Sequence, residues 1–192
     1  MDDFDMNINA EVEIQHGKNI TRGNNLIMDR GRISLLSALF MMQYRTNLRY
    51  TSRLDIRLMG NTPTITIGSS AEYKSTPTQT GLISPYTGTY NQSLIRTSIN
   101  TDTTRGCRFT FTIPNNTFPS GSIFGEYGLY LHMNTNTTFQ HELYYTSTIG
   151  DNVTPLNNQL FSRIAVADGE IQEIIYNPAH SLIVTWDVYL SF

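Results

Sequence analysis

Beyond residue 53, hydrophobic and polar residues alternate along much of the chain. This two-residue period is typical of β-strands that bury one face. The longest alternating runs are 109–113 and 182–192, and 54–58 alternates between apolar and charged residues. Shorter candidate strands lie at 65–67, 94–99, 124–133, 143–148, 161–166 and 171–176. The pattern predicts a mainly β protein whose strands pair in antiparallel fashion.

One earlier segment, residues 25–42, has the period of an α-helix instead. Leu26, Ile33, Leu36 and Phe40 recur at spacings of seven, three and four, which places them on one helical face. Gly31 inside such a helix costs about 1 kcal/mol relative to alanine, so we expect a close packing contact there. The sequence therefore predicts an antiparallel β-sandwich with one amino-terminal α-helix packed on it.

The domain organisation predicted from the chain is simple. Residues 1–20 are acidic and weakly patterned and are predicted to form an amino-terminal arm, and residues 21–192 to form a single β-sandwich domain. Residues 60–93 have little periodicity and many Thr, Ser, Pro and Gly residues, which predicts a long loop. Two interpretations of this loop are open: a surface loop with one or two small strands, or an arm that orders against a neighbouring subunit.

Composition narrows the classes of partner. Thr, Asn and Ser make up 57 of the 192 residues, and charged residues only 15%, against about 25% in typical domains. The 11 Arg and two Lys form no basic block, so nucleic acid is not an expected partner. No stretch of 18 apolar residues is present, so membrane insertion is not expected either. The acidic amino terminus differs from a secretory signal, which indicates synthesis in the cytoplasm.

Motifs for catalysis or cofactor binding are missing from the sequence. The four histidines lie in different segments without the spacing of metal ligands, and no phosphate-binding glycine loop or nucleophile elbow occurs. Cys107, the single cysteine, is in phase with Phe109 and is expected to be a small buried hydrophobe. We therefore expect a protein that is not an enzyme, with no catalytic residues, cofactor or metal.

Three charged residues, Arg96, Glu126 and Arg163, fall within otherwise apolar strands. An unpaired charge in such a place is costly, whereas an Arg–carboxylate pair can fix the register of two strands. The hypothesis is that Glu126 pairs with Arg96 or with Arg163 in a structural role. Gly128 would then allow close backbone approach.

Four tyrosines are candidate contact residues because they lie in Thr/Gly-rich or hairpin segments: Tyr86, Tyr90, Tyr144 and Tyr145. Exposed aromatic rings among neutral polar groups stack on sugars or become buried at subunit interfaces. Packing in the core is the alternative for each of them.

The order of short motifs resembles that of a group of phage proteins. A Gly-Arg pair at 31–32 precedes Leu-Met-Gly-Asn-Thr at 58–62 and Leu-Ile-Arg at 94–96; Glu-Tyr-Gly-Leu at 126–129, Leu-Phe-Ser-Arg at 160–163 and Ser-Leu-Ile-Val-Thr-Trp at 181–186 follow. Over most of residues 25–192 this order resembles tailed-bacteriophage virion proteins of the tail, collar and baseplate region, including tail-fibre attachment domains. That group often has Gly-Thr-Gly where this chain has Gly-Asn-Thr at 60–62, and often a Lys where it has Tyr176 and Asn177.

The resemblance implies a non-enzymatic building block that works in a symmetric ring or trimer and brings no catalytic residues. We expect a structural subunit of the virion, in the tail, neck or collar, or baseplate, that forms a homo-oligomer, contacts other virion proteins and anchors fibres. Two alternatives are open: a tail-fibre module that binds a receptor or a host surface glycan, and a capsid-decorating protein.

Overall fold

A computed structural model describes residues 7–29, 31, 63–88, 90, 93–131 and 159–191. These residues form eleven β-strands and a 3-10 helix at Val166–Asp168. The strands are β1 Asn7–His16, β2 Asn19–Asn24, β3 Leu26–Ile27, β4 Thr64–Gly68, β5 Leu94–Asn100, β6 Thr104–Ile113, β7 Ile123–Phe124, β8 Glu126–Leu131, β9 Gln159–Ala165, β10 Ile174–Ile175 and β11 Leu182–Ser191.

The first layer is a five-stranded antiparallel sheet with the strand order β2-β1-β11-β6-β5. Its centre is the pairing of β1 with β11, which runs from Asn7 opposite Ser191 to His16 opposite Leu182. Along β11 buried and partly exposed residues alternate without interruption. The alternation of the sequence therefore becomes one face toward the core and one face toward solvent.

The second layer is a four-stranded antiparallel sheet with the order β3-β9-β8-β4, and β7 pairs with β10 in a separate two-stranded ribbon. Side chains of both layers join one core, among them Val12, Ile14, Phe109, Phe111, Val184 and Trp186 from the first sheet and Ile65, Ile67, Tyr127, Leu129 and Ile164 from the second. The prediction of a mainly β, antiparallel protein is confirmed. Cys107 is fully buried in this core.

The prediction of an amino-terminal α-helix over residues 25–42 is wrong for the described part of that segment. Leu26–Ile27 is strand β3, which pairs with β9 and places Leu26 opposite Arg163. Asp29 and Gly31 have α-helical backbone but make up no complete helix within the described residues, and residues 30 and 32–42 lie outside them. The helical period was misleading because an apolar pair such as Leu26 and Ile27 fits a strand at a sheet edge equally well.

Gly31 does lie at a close contact. A Cβ atom at this position would be 2.6 Å from the carbonyl oxygen of Phe161 on β9. A side chain at residue 31 would therefore collide with the backbone of the second sheet.

The described residues of the predicted arm, 7–20, belong to the sheet instead. β1 lies between β2 and β11, with Val12 and Ile14 almost completely buried. The short alternation of Glu11, Val12, Glu13 and Ile14 is thus the central part of a ten-residue strand. Removal of residues 1–20 would delete β1 and open the core. The candidate strands at 54–58 and 143–148 lie outside the described residues.

One buried polar atom in the core has no hydrogen-bond partner in the described structure: the hydroxyl of Tyr127 on β8. Burial without a partner raises the pKa of this phenol far above its usual value. Tyr176, which is also buried, differs because its hydroxyl accepts a hydrogen bond from the backbone N–H of Thr117 at 3.2 Å. Within the described structure, the hydroxyl of Tyr127 therefore lacks a hydrogen-bond partner, whereas the hydroxyl of Tyr176 has one.

We predict that Tyr127→Phe raises the free energy of unfolding by about 1 kcal/mol, since it removes an unsatisfied buried hydroxyl and leaves the ring in place. The measurement is denaturant unfolding followed by fluorescence. Tyr176→Phe is the control and should lower the stability by a similar amount, since it leaves the Thr117 N–H unpaired. Loss of stability in both variants would contradict the prediction.

Candidate functional site

The segment from residue 69 to residue 90, here called the crossing loop, covers the outer face of the four-stranded sheet. All five residues of β4 are buried, both the core-facing Ile65 and Ile67 and the outward-facing Thr64 and Thr66. An edge strand is buried on both faces only if something packs on each of them. The described part of the crossing loop, residues 69–88 and 90, is that second cover.

An ion pair lies beneath the crossing loop. Glu126 on β8 is opposite Ala165 and Arg163 on β9 is opposite Gly128, so the two charged residues are diagonal neighbours on the outer face of the sheet. Nη2 of Arg163 lies 2.8 Å from Oε2 of Glu126, and Nε of Arg163 lies 3.1 Å from the same oxygen. Both side chains are 0% exposed. This is a fully desolvated pair, which is stable only if its remaining polar atoms are also bonded.

The carboxylate of Glu126 is satisfied by the backbone of the crossing loop. Oε1 accepts a hydrogen bond from the N–H of Ser84 at 2.7 Å, and Oε2 accepts one from the N–H of Ile83 at 3.1 Å. Hydrogen bonds to an ionised acceptor are stronger than those between neutral groups. Glu126 thus holds the second half of the loop against the sheet.

The guanidinium of Arg163 binds the first half of the same loop. Nη1 and Nη2 donate to the carbonyl oxygen of Tyr73 at 3.2 and 3.1 Å, and Nη1 also donates to Oγ of Ser75 at 3.1 Å and Oε1 of Gln79 at 3.4 Å. Because the guanidinium has its donors in a rigid planar fork, it fixes the positions of several acceptors at once.

Asp168, in the 3-10 helix after β9, completes the network. Its carboxylate accepts hydrogen bonds from the N–H and the Oγ of Ser75, both at 2.7 Å, and from the N–H of Ala165 at 2.8 Å. Ser75 therefore links the Arg163 guanidinium to a second carboxylate. The charged side chains of Glu126, Arg163 and Asp168 thus attach the crossing loop to the sheet at residues 73, 75, 83 and 84.

Two glycines make room for this attachment. A Cβ on Gly68 would lie 2.5 Å from Oε1 of Glu126, and one on Gly128 would lie 3.0 Å from a methyl carbon of Leu82 in the crossing loop. At Gly68, where a Cβ would also lie 2.7 Å from the carbonyl oxygen of Ser84, only a residue without a side chain allows the carboxylate and the loop to approach so closely.

The end of the crossing loop runs along the free edge of β4. The N–H of Tyr90 donates to the carbonyl of Ile65 at 2.9 Å, and the N–H of Ile65 donates back at 3.1 Å. The N–H of Tyr86 donates to the carbonyl of Ile67 at 2.8 Å. In its described residues, the loop is thus held by hydrogen bonds to its own chain.

Two large apolar side chains of the crossing loop point into solvent: Tyr73, which is 57% exposed, and Ile83, which is 45% exposed. These are the same residues whose backbone groups are bonded directly by Arg163 and Glu126. The buried ion pair therefore holds the backbone from which two hydrophobic side chains project on the surface.

The other predicted site residues lie elsewhere. Arg96 is exposed on β5, opposite Phe109 in the first sheet, so it does not meet Glu126. Tyr86 and Tyr90 are partly buried, and their rings pack edge-on or tilted against Phe118 at centroid distances of 5.4 Å. Tyr144 and Tyr145 lie outside the described residues.

These packed tyrosines belong to an aromatic cluster that continues to the turn before β11. The cluster also contains Phe118, Phe124, Tyr176 and His16. His16 is buried, with Nε2 accepting a hydrogen bond from the N–H of Asn177 at 2.8 Å. Packing thus accounts for Tyr86 and Tyr90, in line with the alternative given for them.

A second surface, which the sequence did not single out, is the solvent face of the five-stranded sheet. It forms a shallow groove in which Arg108 makes two hydrogen bonds to Asp187, at 2.8 and 2.6 Å, and Arg22 contacts Glu13 at 2.5 Å. The hydroxyl of Tyr189 donates to Glu11. The charged residues that alternate with apolar residues in β1 and β11 were the signal by which the sequence could have identified this surface. These charges are largely paired with one another, as on an ordinary solvated face.

Within the described residues, no group of three or more His, Cys, Asp or Glu side chains is arranged to hold a metal ion. No helix in the same part of the chain is long and apolar enough to cross a membrane.

Comparison with known proteins gives no match: no protein-family model, no curated protein and no solved structure is significantly similar to this chain.

We predict that Glu126→Gln lowers the free energy of unfolding by about 3–5 kcal/mol, because it leaves the Arg163 charge buried without its partner. The crossing loop should open with it, so trypsin should cleave faster after Lys74. Both effects are measured by denaturant unfolding and by peptide mapping of a timed digest.

The matched control for this ion pair is Asp187→Asn, which removes a surface pair with Arg108 and should cost no more than about 1 kcal/mol. A double variant, Glu126→Leu with Arg163→Met, leaves no buried charge and should be more stable than Glu126→Gln, yet still be cleaved at Lys74. Unchanged cleavage in both variants would contradict the anchoring role of the pair.

A further prediction concerns Tyr189, whose pKa is raised to about 12 by burial and by its hydrogen bond to the Glu11 carboxylate. A raised pKa means that this contact contributes stability fully below about pH 10 and loses it as the pH rises through about 12. The difference in alkaline ultraviolet absorbance between the protein and Tyr189→Phe isolates this group. Its midpoint should fall toward the ordinary value in Glu11→Gln, and an unchanged midpoint would rule out the contact.

Proposed function

We propose that the protein is a non-enzymatic structural subunit of a phage particle, in the tail, neck or collar, or baseplate, that assembles with itself and with neighbouring virion proteins. The observation that carries this proposal is the crossing loop, with Tyr73 and Ile83 exposed above the buried pair of Glu126 and Arg163. The phage assignment itself rests on the order of sequence motifs.

Association with a partner has an entropic cost. Immobilising a side chain at an interface costs about 0.5–1.5 kcal/mol, and a mobile loop adds its own ordering entropy. Backbone bonds from Arg163 to Tyr73 and from Glu126 to Ile83 order the loop before any partner arrives, so binding no longer has the loop's share of that entropic cost. A preorganised surface with apolar anchors suits a protein whose work is permanent contact with neighbours.

The surrounding surface also suits such contacts. The exposed residues of the crossing loop around the two anchors are mostly Thr, Pro and Ser, with one acidic residue, Glu72, and one basic residue, Lys74. Neutral hydrogen-bonding groups can be desolvated at an interface at a lower cost than charges.

The glycan-binding alternative has less support in the described part of the chain. The rings of Tyr86 and Tyr90 pack against Phe118, and the Tyr86 hydroxyl donates to the carbonyl of Ile123 at 2.9 Å. A sugar-stacking site would therefore depend on Tyr144 and Tyr145.

We predict that the chain is present in purified particles of the phage that encodes it, and that Tyr73→Ala with Ile83→Ala reduces its incorporation at least about tenfold, since two apolar anchors are lost. Incorporation is measured by gradient sedimentation of particles from cells that supply the variant in place of the natural protein, followed by quantitative peptide mass spectrometry.

Ile20→Ala is the matched control, because Ile20 is 52% exposed on β2, far from the crossing loop in the strand order. It should be incorporated as the unchanged protein is, and circular dichroism should show that all variants are folded. A chain that stays in the soluble fraction and is absent from particles would overturn the proposed function.

A further inference from the structure

His16, the last residue of β1, is held in one protonation state by two backbone groups. Its side chain is buried, and Nε2 accepts the hydrogen bond from the N–H of Asn177 at 2.8 Å. An accepting ring nitrogen carries no proton, so the proton of the neutral imidazole lies on Nδ1. Nδ1 then donates to the carbonyl oxygen of Ser181 at 3.2 Å. Both nitrogens of the neutral ring are therefore satisfied.

The two partners of His16 lie at the two ends of one turn, residues 177–181, which leads from β10 into β11. Inside this turn the N–H of His180 donates to the carbonyl of Asn177 at 3.1 Å, and the N–H of Ala179 donates to the Asn177 side chain at 3.0 Å. The ring of His16 thus attaches both ends of the β10–β11 turn to β1.

The β10–β11 turn in turn holds the segment that follows β6. The N–H of Asn116 donates to the carbonyl of Pro178 at 3.2 Å, and the N–H of Thr117 donates to the Tyr176 hydroxyl at 3.2 Å. The Tyr176 ring stacks on His16 at a centroid distance of 5.0 Å. The contacts of one imidazole therefore connect β1 with residues 116–117 and with the aromatic cluster.

A second proton on His16 is incompatible with these contacts. Protonation makes Nε2 a donor, and it would then face the N–H of Asn177, which is also a donor. The charge would be buried as well, and no carboxylate among the described residues forms an ion pair with this ring. A buried charge without a partner or an acceptor is costly.

The other titratable groups that face His16 do not offset this cost. His180 packs edge-on against it at a centroid distance of 5.9 Å, so protonation of His180 would add a like charge. Tyr176 presents the face of its ring, which attracts a cation weakly. It supplies no acceptor for a proton on Nε2.

We propose that His16 is a pH-sensitive switch: the neutral ring holds residues 177–181 against β1, and protonation of the ring releases them. This inference goes beyond the proposed function and is independent of it, because the switch is a property of the isolated chain. An imidazole in an unfolded chain gains its proton near about pH 6.5 without losing any bond. The stability that the switch contributes is therefore present above that pH and is lost as the pH falls below it.

The first test is amide hydrogen exchange of the full chain, compared with His16→Gln from about pH 7.5 to about pH 5. The Gln side chain offers an amide oxygen to the Asn177 N–H and does not titrate in this range. At pH 5 the protection of the N–H groups of Asn116, Thr117 and Asn177 should be at least about tenfold lower in the natural protein than in His16→Gln, since one linked proton changes an equilibrium tenfold per pH unit.

Comparison of the two proteins at the same pH removes the effect of pH on the intrinsic exchange rate. The N–H of Met28, which donates to Phe161 in the second sheet, is the internal control and should be equally protected in both. His180→Gln is the matched control variant, because His180 is exposed and its side chain makes only the edge contact with His16. It should lose protection in acid as the natural protein does.

The second test is nitrogen NMR of the His16 ring in the natural protein, which does not depend on any variant. At about pH 7.5 the proton should be on Nδ1 and not on Nε2. The change in the ring signals on acidification should coincide with the loss of protection at Asn177.

The switch is wrong if the proton lies on Nε2 at neutral pH, or if the Asn177 N–H keeps its protection after the ring is protonated. Acid loosening that persists in His16→Gln would assign the titration to another group and would also overturn it. None of these outcomes depends on whether the chain enters particles, so the switch and the proposed function fail separately.

Discussion

The buried pair of Glu126 and Arg163 is the interaction on which the second layer of this protein depends. A desolvated charge is tolerated only when its partner and its other polar contacts are in place. Here those contacts come from the backbone of the crossing loop, at Tyr73, Ile83 and Ser84. The loop and the sheet therefore order each other. Neither charge is fully satisfied without the loop, and the bonds to both charges hold the loop together with the packing of Tyr86 and Tyr90 against Phe118.

This arrangement explains a further feature of the fold. The crossing loop covers the outer face and the free edge of β4, which is why every residue of that strand is buried. The polar network of Glu126, Arg163 and Asp168 thus holds the second sheet and its cover together.

The candidate site shows where sequence reasoning stops. An Arg and a Glu in apolar strands pointed to an ion pair, because an isolated charge there would be costly. The choice between Arg96 and Arg163 depended on the strand order, which places β5 in the other sheet. Tyr73 and Ile83 had no signal in the sequence, since their importance comes from backbone bonds to residues about 40 to 90 positions away. The aromatic packing of Tyr86 and Tyr90 likewise depends on Phe118, which is distant in the chain.

Local pattern by itself determined the β class and the alternation of buried and exposed residues in β6 and β11, because the side-chain period of a strand is a property of neighbouring residues. It also determined that Cys107 is buried. The tertiary structure decided the conformation of segments whose local pattern fits more than one kind of element. Leu26 and Ile27 became an edge strand, and residues 7–16 a central strand of a sheet, since an apolar segment takes the form that satisfies its backbone hydrogen bonds. Those bonds are made to strands far away in sequence, and no local pattern encodes them.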